Sequence, residues 1–138
     1  MNVPDTRLSD LLESAGVLKR VLTEEERQEA EQQWREVYGD VFRRGRVRQG
    51  SKADYEYSRQ PPCRWLAVPL TSEVPGTSLA PAARTAIGCE CEGPLVPLGA
   101  VHHVEFAVAP VDLSWTMLYT HEDHDLGGPY FIRREWLS

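Results

Sequence analysis

A chain of 138 residues, 41% apolar and 26% charged, can bury one ordinary core, so a single domain (1–138) without disulfide staples is expected. Its net charge of −6 argues against general nucleic-acid binding, which needs a cationic face to displace counterions from phosphate; it is ordinary for a mildly acidic cytoplasmic protein and also suits a basic protein partner. No apolar run approaches the length of about 18 residues that a membrane span needs. Met1-Asn2-Val3-Pro4-Asp5 lacks the basic start and apolar core of a signal peptide, and three cysteines leave one over for any disulfide framework. The expected compartment is the cytoplasm.

The spacing of Leu8, Leu11, Leu12 and Ala15 predicts a helix over 6–15, ended by Gly16 in a left-handed cap. A second helix starts at Thr23, where Thr23 and Glu26 form a capping box and Glu24, Glu25 and Glu26 sit at the positive end of the helix dipole. Ala30, Trp34, Val37, Tyr38 and Val41 then recur as one apolar stripe, with Glu29, Gln32, Gln33 and Glu36 off it. From Arg43 to Lys52 the chain reads as a basic, glycine-containing loop. Beyond it the pattern becomes extended, with strands predicted at 64–68, 84–90, 101–109, 113–120 and 130–134. Pro75-Gly76 and Pro81 mark 71–82 as a long loop, and turns are expected at 91–94 and 97–99.

Helices first and strands afterwards indicate an α+β fold: two N-terminal helices packed on one face of a mainly antiparallel four- or five-stranded sheet. Within the single domain, 1–42 is the helical part, 43–62 the basic loop and 63–138 the sheet part. In the strand at 113–120, alternation puts Leu113, Trp115, Met117 and Tyr119 on one face and Ser114, Thr116, Leu118 and Thr120 on the other. Farther on, Tyr130, Ile132 and Arg134 share a face, with Phe131 and Arg133 opposite.

The string Trp115-Thr116 with Thr120-His121-Glu122, followed by Gly128-Pro129-Tyr130-Phe131, resembles the closing segment of a family of small bacterial proteins known only as a numbered domain of unknown function. Similar endings occur among small proteins that resemble bacterial toxin-immunity factors. The resemblance covers residues 111–132, about a sixth of the chain. It implies a bacterial origin and no reaction, and it assigns no catalytic residue.

Between those strands, His121, Glu122, Asp123, His124 and Asp125 have the residue types of a metal site, and a metal-dependent hydrolase centred there is one reading. The spacing H-E-D-H is one residue short of the helical H-E-x-x-H of zinc proteases, so a solvated acidic turn is the simpler expectation. Cys89 and Cys91 on one strand face lie too far apart for a shared zinc without a bulge, and buried reduced thiols are expected. No nucleophile elbow or glycine-rich phosphate loop occurs, so no catalytic residue, metal ligand or cofactor is assigned. Arg43, Arg44, Arg46, Arg48 and Lys52 form either a solvated connector or a grip for an acidic partner, a phosphate or RNA. The leading expectation is a non-enzymatic protein-binding factor such as a toxin-neutralising immunity protein. Its candidate surface combines His121, Glu122, His124, Asp125 and Tyr130 with Arg43, Arg44, Arg46 and Arg48.

Overall fold

The computed structural model describes residues 5–43, 48–59, 64–70, 87–98, 101, 105–119 and 129–137. The first helix, α1, covers Arg7–Ser14, and Gly16 leaves it at φ +77°, the left-handed conformation that glycine adopts without a Cβ clash. Strand β1 (Leu18–Val21) leads into α2 (Glu24–Arg43), whose capping box forms as predicted: Glu26 N–H donates to Thr23 Oγ1 at 3.1 Å, and Thr23 N–H to Glu26 Oε1 at 2.9 Å. Strand β2 (Arg48–Gln49) and helix α3 (Lys52–Ser58) follow. Strands β3 (Arg64–Pro69), β4 (Cys89–Glu92), β5 (Phe106–Pro110), β6 (Trp115–Tyr119) and β7 (Tyr130–Arg133) complete the sheet, and a 3-10 turn, Arg134–Leu137, ends the described chain.

The α+β class holds, but its detail needs correction. Among the described residues there are three α-helices rather than two, and one sheet of seven strands rather than four or five. The strand order is β1-β4-β3-β5-β6-β7-β2 and every pair is antiparallel. The two strands missed by sequence pattern are the edges. β1 is largely exposed and has no apolar alternation, and β2 is two residues long, so neither carries the period-two signal of a half-buried strand. The stretch 43–62 is likewise no single loop. Arg43 closes α2, Arg48 pairs with Phe131, and Ser51 caps α3 through a reciprocal bond with Asp54. Strand β4 begins at Cys89 rather than Arg84, with 84–86 outside the described residues, and Val101 is a buried turn residue ahead of β5.

Helix α2 explains how the two edges are joined. Twenty helical residues span about 30 Å, and six inter-strand gaps span about 29 Å. The helix therefore crosses the sheet from β1 at one edge to β2 at the other. Its N-terminus is seated where Leu22 N–H donates to Gly88 O at 2.8 Å. A Cβ at Gly88 would lie 3.1 Å from Leu22 Cδ1 and 3.2 Å from Arg27 Cγ, so glycine there permits the close approach.

Both faces of the sheet are buried, which overturns the expectation that all helices cover one side. Trp115, Met117, Tyr119, Phe131, Phe106, Val108, Trp65, Cys89 and Cys91 point one way, against Leu8 and Leu12 of α1, Tyr55 and Tyr57 of α3, and Leu95, Leu98 and Val101. Thr116, Leu118, Ala107 and Ile132 point the other way, toward Trp34, Tyr38 and Phe42 of α2. The alternation predicted for β6 and β7 is correct at every residue within the strands. Leu113 is the exception: it precedes β6 with φ 60° and packs on the α2 side instead of joining Trp115.

An acid-sensitive clamp holds the start of α2. Arg20 of β1 donates to both Glu26 oxygens, at 2.8 and 2.7 Å, and with Thr23 N–H this lowers the Glu26 carboxyl to about 2. A depressed carboxyl stabilises the fold above its unfolded pKa, near 4.5, and that contribution fades as pH falls toward 2. Denaturant midpoints measured against pH should therefore show a shallower acid limb in Glu26→Gln than in the parent; identical limbs would mean the clamp is not formed.

Candidate functional site

Six of the nine residues of the sequence-derived surface cannot be placed: His121, Glu122, His124, Asp125, Arg44 and Arg46 lie outside the described residues. Arg43 and Arg48 are placed by their backbones at the end of α2 and in β2. Tyr130 is half-buried on the α2 face, its ring 6.0 Å from Phe42 in an edge-on arrangement. It packs the end of the helix against the sheet. Among the described residues, no group of three or more His, Cys, Asp or Glu side chains is arranged to hold a metal. Cys89 and Cys91 share the α1 face as alternation dictates, and burial pushes both thiols up to about 12, where they stay protonated and poor as nucleophiles.

A different surface stands out on α2. Its inward face carries Arg27, Trp34, Tyr38 and Phe42, each buried. Diametrically opposite, Glu25, Glu29, Gln32, Glu36 and Asp40 follow i, i+4, i+7, i+11, i+15 and are all exposed. Four of these five are carboxylates, in a line of about 22 Å at 1.5 Å per residue. The helix as a whole has seven acidic residues against three arginines.

Arg27 and Arg35 are turned to partners other than Glu25, Glu29 and Glu36 of this line. Arg27 is buried and donates to Glu24, to Glu31 at 2.6 Å and to the Pro69 carbonyl at 3.0 Å. The hydrogen bond from Arg27 is also the main cause of the lowered Glu24 carboxyl. Arg35 pairs with the other Glu31 oxygen at 2.9 Å. Among the described residues no cation lies within ion-pair distance of Glu25, Glu29 or Glu36. Glu29 and Glu36 accept instead from the neutral amides of Gln33 and Gln32, at 3.5 and 3.2 Å.

Beside this acidic line runs an apolar groove. Ala30 and Gln33 of α2 form one wall; Leu66 and Val68 of β3, Ala109 of β5 and the exposed Val111 form the floor and the other wall. Small side chains create it. Ala107 and Ala109 make room for the Trp34 ring, which donates from Nε1 to Thr116 Oγ1 at 2.8 Å, and next to the ring their size leaves a shallow gap. The enclosed room is about 20 Å³, against about 300–1,000 Å³ for small-molecule sites. Such a groove can seat part of a side chain but not a cofactor.

Two further polar clusters are structural. Glu90 lies within 3.3 to 3.8 Å of Lys19, Arg20 and Arg64 and closes the β1–β4–β3 edge. Arg133 stacks 3.7 Å from the centre of the Tyr57 ring and 5.4 Å from that of Trp136, which itself sits edge-on to Phe131. Trp136 thus caps the α1-side core while staying 45% exposed.

Of the acidic line, Glu29 and Glu36 are legible in the sequence as residues off the apolar stripe and Glu25 as part of the acidic helix start, whereas Asp40 joins them only through its exposure in the fold. The groove had no sequence signal, since its lining residues are scattered between Ala30 and Leu113 and are brought together by the sheet register. No helix among the described residues is long and apolar enough to cross a membrane. Comparison with protein-family models, curated proteins and solved structures finds no match to the chain.

Proposed function

We propose that this chain is a non-enzymatic binding factor that engages a basic protein through the outer face of α2, with a toxin-neutralising immunity protein as its specific form. The supporting observation is the exposed line Glu25, Glu29, Glu36 and Asp40, carried on a helix anchored by three buried aromatic rings. Carboxylates fixed on a rigid helix act as a preorganised field: they steer a cationic partner during encounter and lose little entropy when it docks. The net charge of −6 acts in the same direction, and so does the likeness of the closing segment to bacterial immunity factors.

The test is co-expression with the basic protein encoded beside this chain in its native host. That protein should arrest growth alone and be neutralised by the parent chain. Replacing Glu25, Glu29, Glu36 and Asp40 by lysine should lower affinity by at least about tenfold, chiefly through the association rate, and weaken protection. All four positions are exposed, so folding should survive. Protection by the quadruple variant equal to that by the parent would refute the acidic face as the contact surface.

A further inference from the structure

We propose that the groove between α2 and strands β3 and β5 is an anchor site that seats the end of an apolar side chain from a lysine- or arginine-rich segment of the partner; this rests on the acidic-face reading above and extends it. Shape and charge point to the same occupant. The floor, Leu66, Val68, Ala109 and Val111, is apolar, and Val111 is 57% exposed, so apolar surface is left open to solvent. The helix wall is not neutral. Gln33 lines the groove, and its neighbours at i−4 and i+3 on the same helical surface are Glu29 and Glu36. Gln33 donates to Glu29 at 3.5 Å, which ties the wall to the acidic line.

Arg27 and Arg35 do not interrupt this rim beside Glu29 and Glu36, because Arg27 is buried against Pro69 and both are bonded to Glu31. A segment lying along the rim therefore meets carboxylates at one side and hydrocarbon at the other. That combination selects a basic segment with an apolar residue among its cations. A purely basic segment would leave the groove unfilled, and a purely apolar one would leave the carboxylates unmatched. The shallow depth suits one side chain entering from a protein surface, as anchors do at interfaces.

The experiment uses the isotope-labelled full chain and two synthetic peptides of equal charge, one with a leucine flanked by lysines and a twin with serine in its place. Binding is followed by calorimetry and by the amide shifts of the chain. The leucine peptide should move the amides of Ala30, Gln33, Val68 and Val111, and should bind at least about tenfold more tightly than its twin. Val111→Asp should abolish the difference between the peptides while leaving the salt-dependent binding they share. Equal affinity of the two peptides, lost in Glu29→Lys/Glu36→Lys, would overturn the anchor site and leave the acidic-face reading standing. Absence of binding by either peptide, or binding indifferent to those lysines, would overturn both. The same groove shifts on concentrating the chain without peptide would make a second copy the occupant and also overturn the proposal.

Discussion

Trp34→Ala is expected to destabilise the chain by about 3–5 kcal/mol, the usual cost of truncating a buried tryptophan. Trp34 is 2% exposed and forms the hub of the α2 contact, with the Tyr38 and Phe42 ring centres 6.1 and 5.6 Å away. Alanine would leave a cavity above Ala107 and Ala109, which are too small to refill it. It would also remove the bond to Thr116, although that hydroxyl keeps its donation to the Val108 carbonyl at 2.9 Å. Since domains of ordinary size are stable by about 5–15 kcal/mol, this one change could consume much of the margin. Trp34→Phe retains most of the apolar area and loses the hydrogen bond, so a cost of about 1–2 kcal/mol is expected. Urea unfolding followed by far-ultraviolet circular dichroism separates the two. An alanine variant as stable as the parent would mean that α2 is not docked on this face.

Arg27→Ala comes next, at about 3 kcal/mol or more, because a buried ion pair broken on one side leaves its partner charge stranded. Arg27 is 3% exposed, and the Glu31 it meets is 6% exposed. Arg35 still holds the second oxygen of Glu31, which keeps the expected loss near the lower end of that range. The Pro69 carbonyl would lose the donor that joins α2 to the end of β3. The charges themselves need not be net stabilising. Replacing both groups by hydrocarbon, as in Arg27→Met/Glu31→Leu, should recover most of the loss, since desolvating the pair cancels much of its attraction. Denaturant midpoints of Arg27→Met, Glu31→Leu and the double variant close a double-mutant cycle that gives the coupling between the two positions. If the double variant is as damaged as Arg27→Ala, packing rather than the stranded charge sets the cost.

The elements that sequence pattern located well are those whose side chains must choose between two environments. In α1 and α2 the choice runs every three or four residues, and the apolar stripe from Ala30 to Val41 identified the inward face, extended in the structure by Phe42. In β6 and β7 it runs every two. Trp115 and Met117 were assigned to the face opposite Thr116 and Leu118, and they lie there, but both faces turned out to be core. Period alone cannot reveal this, because a threonine turned inward reads as a threonine turned outward. Thr116 is buried because its hydroxyl accepts from Trp34 and donates to Val108, two bonds made by residues 82 and 8 positions away.

Helix α3 escaped because the arginines before it dominated the composition of 43–62, although Ser51 and Asp54 form a capping box as clear as the one at Thr23. The candidate surface fared unevenly. The basic run is divided among a helix end, an edge strand and a cap, and the histidine turn is not among the described residues. The carboxylate line of α2 was legible only in part, as Glu29 and Glu36 off the apolar stripe, and its extent from Glu25 to Asp40 follows from the exposure of each residue in the fold.

By itself, the sequence determined the class, the capping box at Thr23, the inward stripe of α2 and the strand phases, because each depends on neighbours within a turn or a pleat. Tertiary structure decided which strands stand side by side, that α2 crosses the full width of the sheet, and that α1 and α3 occupy the opposite side. It also decided that small alanines on β5 leave an apolar groove beside a line of carboxylates. Those features arise from pairing over long separations, where the registry of β3 with β5 and the length of α2 against seven strands set the geometry, and no local pattern encodes either.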